Sequence, residues 1–339
     1  MQRQFTEMAG KVSVIFPVGP GVAGAGGALH DLLGQTYGDL EVLAVLNGCL
    51  PEVREEFLSH RDSRLRVMDL GGEGRLLEAL DLAVRESEGR WLARMDSDDR
   101  CAPDRIARQI ERLVDGGCEV VSCGISLKGA LGDGMQRYVD WVNGLDDAGK
   151  VSLARFIESP VVQPTVMLSK ELFLEAGGYR RNGFAEDYDL WLRLLAREAR
   201  FGKVKEELYD WYDRNDRLTR SDARFGRKKM LALKALALSV LPEVRECGVA
   251  IAGAGPTGKV LGRELKRLGI NLHGYFEVSP KQIGGQCQGV PVAGPEDFGG
   301  RWREAVLLGA VGTGGGRETV RAMALAAHYR EGRDFWSCC

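Results

Sequence analysis

The chain has 339 residues. A chain of this length usually exceeds what a single hydrophobic core can organise, so we expect two domains. The 46 basic and 48 acidic residues give a formal net charge of −2, which argues against a nucleic-acid-binding protein. No apolar stretch follows a basic start, and the longest apolar-rich segment, 230–241, is interrupted by Lys234. That segment is shorter than the roughly 20 residues of a membrane span, so we expect a cytoplasmic protein without a transmembrane segment.

The eight cysteines do not form a metal-binding motif. None belongs to a Cys-x-x-Cys pair, and no histidine lies at ligand spacing from them. Structural zinc is therefore not expected. We expect reduced and mostly buried thiols.

The first half of the chain alternates strands with helices. The expected strands are 11–18, 40–48, 64–70, 90–95 and 118–124, and the expected helices include 75–87 and a segment opened by Pro103. Near-continuous apolar strands alternating with helices predict an α/β fold with a mostly parallel sheet. Ligands of such sheets bind beyond the carboxyl ends of the strands, which is where Pro17, Asn47 and Asp96 lie.

Three aspartates follow the strand that ends near Met95: Asp96, Asp98 and Asp99. Carboxylates held this close raise each other's pKa unless a cation lies between them. Oxygen ligands favour Mg²⁺ or Mn²⁺ over zinc, and Mg²⁺ usually completes its coordination with substrate phosphates. The pattern therefore predicts a divalent-metal site for a diphosphate. The alternative, that Asp98 or Asp99 caps the helix near Pro103, explains one aspartate and not three.

A second acidic cluster begins a predicted helix within 183–199. Glu186, Asp187 and Asp189 lie where the helix dipole favours negative charge. The cluster has two interpretations, plain helix capping or a general base that accepts a proton from an attacking hydroxyl. The sequence leaves the distance between the two acidic clusters open.

Five segments in register carry a family resemblance: "VSVIFPV … QTYGDLEVLAVLNG … RWLARMDSDDRCAPDRIARQIERL … VVQPTVMLSKELFLEAGGY … AEDYDLWLRLL". Over roughly residues 10–215 the chain resembles family-2 glycosyltransferases. The resemblance implies the GT-A fold that binds nucleotide-diphospho-sugars, and an inverting transfer from a nucleotide sugar. Leu46 and Asn47 stand where that family often has two acids, which leaves the identity of the nucleotide open.

The resemblance also implies roles for individual residues. Asp98 would be the main ligand of Mn²⁺ or Mg²⁺, with Asp96 nearer the ribose or a metal-bound water. Asp187 would be the catalytic base, and Glu186 beside it would shape the acceptor site. The residues expected to bind the donor nucleotide, besides Asp96, are Pro17, Val18, Asn47 and Arg75.

The implied partners are a nucleotide-sugar donor and a hydroxyl-bearing acceptor. A UDP-sugar is the favoured donor, and the acceptor is a saccharide, a lipid-linked glycan or a protein. A lipid-linked acceptor would bring the protein into peripheral contact with a membrane.

The last part of the chain carries a glycine pattern. Gly253, Gly255 and Gly258 follow a predicted strand and open a helix, and Glu277 ends the next strand, as in a dinucleotide-binding fingerprint. The region is about half the size of a full dinucleotide fold, and it loosely resembles Rossmann-like half-domains attached to sugar-modifying transferases. The pattern has two interpretations, a second nucleotide or nucleotide-sugar site, or a tight turn that serves packing or assembly.

The expected organisation is therefore a GT-A domain at 1–225, a helical linker at 226–246 and a small Rossmann-like α/β domain at 247–339. The main functional hypothesis is an inverting, metal-dependent glycosyltransferase. One alternative is a regulatory module that binds a nucleotide or nucleotide sugar and carries a silent transferase domain. A nucleotidyltransferase on a similar sheet, which would release pyrophosphate, is a further alternative.

Overall fold

The computed structural model describes residues 9–20, 22, 24–72, 75–129, 132–214, 220, 222–312 and 314–339. Internal contacts divide the chain into two compact units. The first unit contains 1–151, 161–181 and 198–217, and the second contains 152–160, 182–197 and 218–339. The second unit therefore takes two short segments from the middle of the chain, while the division at 225 and 246 expected from the sequence stays a prediction.

The first half of the chain contains, in order, β1 (Val12–Val18), α1 (Ala25–Leu33), β2 (Leu40–Leu46), α2 (Pro51–Ser59), β3 (Leu65–Asp69), α3 (Leu76–Glu86), β4 (Trp91–Arg94), β5 (Arg100–Cys101), α4 (Arg105–Val114), β6 (Val120–Lys128), α5 (Asp133–Asn143), α6 (Ala148–Ala154), β7 (Met167–Ser169) and α7 (Lys170–Glu175).

The second half continues with α8 (Glu186–Ala196), β8 (Phe201–Tyr212), α9 (Arg227–Leu238), α10 (Pro242–Cys247), β9 (Val249–Ala252), α11 (Pro256–Arg267), β10 (Leu272–Phe276), β11 (Gln286–Cys287), β12 (Val290–Ala293), β13 (Val306–Gly309), α12 (Gly316–Ala326) and β14 (Phe335–Ser337).

The sheet of the first unit has the strand order β3-β2-β1-β4-β7-β6-β8-β5. Strands β3, β2, β1 and β4 run parallel, and β7 is antiparallel to both of its neighbours. Every residue of β1 and β2 is buried, as expected for parallel strands covered on both faces. The predicted mostly parallel α/β sheet is thus confirmed.

Parallel pairing also fixes which strand ends lie together. In register, Val12 of β1 is opposite Leu40 of β2 and Trp91 of β4, so the carboxyl ends of the three strands share one edge of the sheet. The residues that follow these three strands are therefore neighbours in the fold.

The structure differs from the expected elements in three places. The segment 163–169, QPTVMLS, has a sequence that predicts a strand. It begins instead as a 3-10 turn at Gln163–Thr165, and only Met167–Ser169 joins the sheet. The helix expected to open at Pro103 begins at Arg105. Strand β8, which the sequence did not reveal, is the longest strand in the described part of the chain and pairs parallel with β6.

The second unit has its own sheet, in the order β11-β12-β10-β9-β13-β14. All pairs are parallel except β11 with β12. Its main hydrophobic cluster joins residues of α8, α9, β9 and α11, among them Tyr188, Leu233, Ile251 and Leu261. The central strand β9 has β10 on one side and β13 on the other, so the chain reverses its winding there.

All eight cysteines are free thiols, and five of them are buried, as expected. Within the described residues, every helix is too short or too polar to cross a membrane.

Candidate functional site

The segment that follows β4 brings three carboxylates together. Oxygen atoms of Asp96, Asp98 and Asp99 all lie within 4.8 Å of one another. Asp99 is only 1% exposed, and the other two are half-buried. Burial, together with the negative charges of Asp96 and Asp98, raises the pKa of Asp99 well above its usual range. An all-oxygen set under this repulsion fits a hard divalent cation such as Mg²⁺ or Mn²⁺.

Two arginines pair with the half-buried carboxylates of this acidic segment (96–99), those of Asp96 and Asp98. Arg94, the last residue of β4, is buried and donates from Nη2 to Asp96 Oδ1 at 2.6 Å. Its Nη1 donates to the carbonyl of Met95. Arg214 places Nη1 3.5 Å from Asp98 Oδ2. The positive charge of the guanidinium groups partly offsets the charge of the cluster.

Strand β8 donates two hydrogen bonds to the third carboxylate, that of Asp99. The buried Tyr209 hydroxyl donates to Asp99 Oδ2 at 2.8 Å, and the Tyr212 N–H donates to Asp99 Oδ1 at 2.8 Å. The Asp96 N–H in turn donates to Tyr209 Oη at 3.3 Å. The capping alternative is therefore wrong for Asp99, since this carboxylate bonds to β8 and the N-cap of α4 is Asp104.

The expected nucleotide-binding residues lie at the same edge of the sheet, where β1 and β2 end. Asn47 donates from its backbone N–H to the carbonyl of Val18 at 2.9 Å, and its side-chain oxygen accepts the Arg75 N–H at 2.8 Å. Pro17, Val18 and Asn47 are buried. The Arg75 guanidinium is exposed and pairs with Glu78 at 3.1 Å. Strand ends thus gather these residues beside the acidic segment.

The second acidic cluster lies in the first turn of α8 and belongs to the second unit. Glu186 is 2% exposed, and its carboxylate accepts from Arg224 Nη1 at 2.7 Å. Asp187 is half-buried, and its Oδ1 accepts the Tyr188 N–H at 2.7 Å. The N-terminal turn of a helix favours the ionised form of such a carboxylate.

The glycine pattern of the second unit follows β9. Gly253 has a φ of +110°, and a Cβ on Gly258 would lie 1.9 Å from the Gly253 carbonyl oxygen, so both positions require glycine. Gly255 is the N-cap of α11. Glu277 follows β10, and its Oε2 accepts the Ala254 N–H at 3.0 Å. The structure brings the four expected residues together, and a nucleotide at this turn stays a prediction.

Sequence reasoning missed three residues of the acidic site: Arg94, Tyr209 and Arg214. Arg94 gave a signal, because a charged residue inside a buried strand requires a partner. Tyr209 and Arg214 gave none that identifies a partner, since each lies more than 100 positions from the aspartate it contacts.

The α/β sheet with its carboxylate cluster matches the GT-A fold of solved structures. The structure of S. aureus TarS 1–349 in complex with UDP-GlcNAc superimposes with a TM-score of 0.56 at 18% identity, over 76% of this chain and 72% of that one. Mannosyltransferase PcManGT from Pyrobaculum calidifontis, in complex with GDP-Man and Mn²⁺, gives a TM-score of 0.50 at 17% identity, over 78% and 76%.

The sequence comparisons identify the family of one region of the chain. Residues 22–172, less than half of the chain, match the model of glycosyl transferase family 2. The O-antigen biosynthesis glycosyltransferase WbnJ of Escherichia coli is 30% identical over 171 residues, which are 50% of this chain and 65% of WbnJ. The chain covers between 30% and 65% of the length of the first curated relatives that it matches.

Proposed function

We propose that the chain is an inverting glycosyltransferase that moves a sugar from a nucleoside-diphospho-sugar to an acceptor hydroxyl. The observation that carries the proposal is the group of three aspartates within 4.8 Å of one another, at the edge where β1, β2 and β4 end. Asp98 and Asp96 would hold Mn²⁺ or Mg²⁺, which when bound neutralises charge on the leaving diphosphate. Asp99, fixed by Tyr209, keeps the acidic segment in place.

Structural neighbours and one curated relative support the proposed donor and acceptor classes. TarS binds UDP-GlcNAc and PcManGT binds GDP-Man with Mn²⁺, which supports a nucleotide-sugar donor, with a UDP-sugar as the first choice. WbnJ is named for O-antigen biosynthesis, which supports a glycan acceptor and a role in polysaccharide biosynthesis. Asn47, Val18 and the Arg75 backbone would form the wall against which the nucleoside rests.

Asp187 is the base in the proposed reaction. Its carboxylate lies in the first turn of α8, where the helix dipole favours negative charge. It takes the proton of the acceptor hydroxyl as that oxygen attacks the anomeric carbon. The bond from this carbon to the diphosphate breaks on the opposite face, so the configuration inverts.

The test measures UDP binding in the presence of Mn²⁺ by calorimetry, together with transfer from a panel of nucleotide sugars. Asp98→Ala is expected to abolish both, while Asp115→Asn, an exposed aspartate after α4, leaves both unchanged. Asp187→Asn is expected to keep UDP binding and to lower transfer by about 10²–10⁴-fold. Full transfer activity in Asp98→Ala would refute the metal assignment.

The products separate the alternatives. Release of a nucleoside diphosphate with an inverted glycoside supports the proposal, whereas release of pyrophosphate indicates a nucleotidyltransferase. UDP binding that survives Asp98→Ala but is lost in Glu277→Ala would indicate the regulatory module with a silent transferase domain.

A further inference from the structure

One arginine of the second unit bridges two carboxylates beside the proposed base. Arg224 donates from Nη1 to Glu186 at 2.7 Å, and from Nε and Nη2 to Asp222 Oδ2 at 2.9 and 2.8 Å. The Glu186 side chain is 2% exposed, and those of Arg224 and Asp222 are 22% and 26% exposed. The two ion pairs are therefore partly buried, and partly buried ion pairs are screened less by salt than exposed ones.

Both the backbone and the side chain of Arg224 are hydrogen-bonded to Asp222. Asp222 is the N-cap of the 3-10 turn Ala223–Phe225, and its Oδ1 accepts the Arg224 N–H at 2.8 Å. Asp222 thus fixes both the backbone and the guanidinium of Arg224. Planar, multidentate contacts of this kind give a guanidinium a defined direction, which a lysine ammonium does not have.

Loss of this cation would act on the first turn of α8. A buried carboxylate is costly without a charged partner, so removing one partner of a buried pair strongly destabilises the arrangement. Glu186 is the first residue of α8 and Asp187 is the second. A Glu186 side chain that moves toward water therefore displaces the turn that carries Asp187.

We propose that Arg224 is a positioning residue, which anchors Glu186 and thereby fixes the direction of the Asp187 carboxylate. The inference rests on the proposed function, in which Asp187 accepts the proton of the acceptor hydroxyl. Small misplacements of a reacting group cost large factors in rate, so the effect should fall on turnover. Donor and metal affinity should not change, because the acidic segment that would bind them belongs to the first unit.

A matched control lies on the same helix. Arg193 donates to the buried Asp189 from Nε at 2.9 Å, and its Nη2 lies 2.8 Å from the same oxygen. Arg193→Met removes an arginine from a buried carboxylate of α8, as Arg224→Met does, but its carboxylate, Asp189, is two positions after Asp187, whereas Glu186 directly precedes it. A general loss of helix stability would affect both variants alike.

The experiment compares kcat, the KM for acceptor, UDP–Mn²⁺ affinity and melting temperature in the full chain. Arg224→Met is expected to lower kcat at least tenfold with UDP–Mn²⁺ affinity unchanged, and Arg224→Lys to recover part of the loss. Arg193→Met should keep kcat within about twofold of the wild-type value. Wild-type kcat in Arg224→Met, or an equal loss in Arg193→Met, overturns the inference.

Additional variants allow the test to be decided even if Arg224→Met is unstable. If Arg224→Met does not fold, Arg224→Lys and Asp222→Asn carry the test, with intermediate losses of kcat expected and wild-type kcat in both overturning the inference. Asp187→Asn separates the two proposals. Full activity in that variant refutes the proposed base, whereas an inactive Asp187→Asn beside a fully active Arg224→Met refutes only the role of Arg224.

Discussion

Replacing Tyr209 with phenylalanine removes a single hydroxyl from the centre of the acidic segment. That hydroxyl donates to Asp99 at 2.8 Å and accepts the Asp96 N–H at 3.3 Å, and neither Tyr209 nor Asp99 is more than 1% exposed. The substitution keeps the ring and opens no cavity of side-chain size. Its effect therefore measures the hydrogen bonds alone.

The expected size follows from the burial of the acceptor. A hydrogen bond contributes about 0.5–1.5 kcal/mol, or about 1.5–3 kcal/mol when one partner is charged, and a buried polar group left short of a partner costs about 1–3 kcal/mol. The Tyr212 N–H still serves Asp99, so we expect a loss of about 2 kcal/mol in the free energy of unfolding. We also expect weaker Mn²⁺ binding, because the Tyr209 hydroxyl no longer links Asp99 to the backbone of Asp96.

The assay is urea denaturation followed by tryptophan fluorescence, with Mn²⁺ affinity measured by electron paramagnetic resonance. Tyr37→Phe is the control, since the buried Tyr37 hydroxyl donates to the neutral carbonyl of Gly10 at 2.7 Å, and its loss should cost about 1 kcal/mol. A Tyr209→Phe protein as stable as the wild type, with wild-type Mn²⁺ affinity, would refute the assignment of Tyr209 as the support of the cluster.

Two further predictions concern positions away from the acidic segment. Burial lowers the pKa of Lys203, which donates to the carbonyl of Val142, to about 8. The unfolded chain therefore binds more protons between this value and the ordinary 10.5, and stability should rise with pH in that window. Measured by urea denaturation against Lys203→Met, the gain from about pH 7 to about pH 9.5 is about 2 kcal/mol, and a flat difference would contradict the burial. Gly258→Ala should destabilise the second unit by about 3 kcal/mol, because the added Cβ meets the Gly253 carbonyl, whereas Gly255→Ala, with open space around it, should change the melting temperature little.

The framework of the first unit could be predicted because its signals are local. Apolar runs such as 40–46 define strands that are buried on both faces, and they end where the chain turns polar. Parallel pairing then brings the strand ends to one edge without any knowledge of distant contacts. The position of the acidic segment at that edge was predictable for the same reason.

The contacts that shape the site depend on pairing over long sequence distances, which no local pattern records. Strand β8 carries polar residues, with Lys205, Glu206 and Glu207 exposed in its middle, so it lacks the apolar run that marks β1 and β2. The partners of Asp99, the Tyr209 hydroxyl and the Tyr212 N–H, were unpredictable because they follow from the position of β8. For Glu186, the sequence predicted the helix start but not the arginine 38 positions later that pairs with it.

The limits of the matched family region, 22–172, do not coincide with the limits of the structure that supports the acidic segment. Strand β1, which is central in the sheet, precedes this region, and β8, with Tyr209 and Tyr212, follows it. A fragment cut at residues 22 and 172 would retain every aspartate of the cluster and would lose the strands that surround it. Any shortened version of the protein made for biophysical work on the acidic segment should therefore extend at least from β1 through the end of β8.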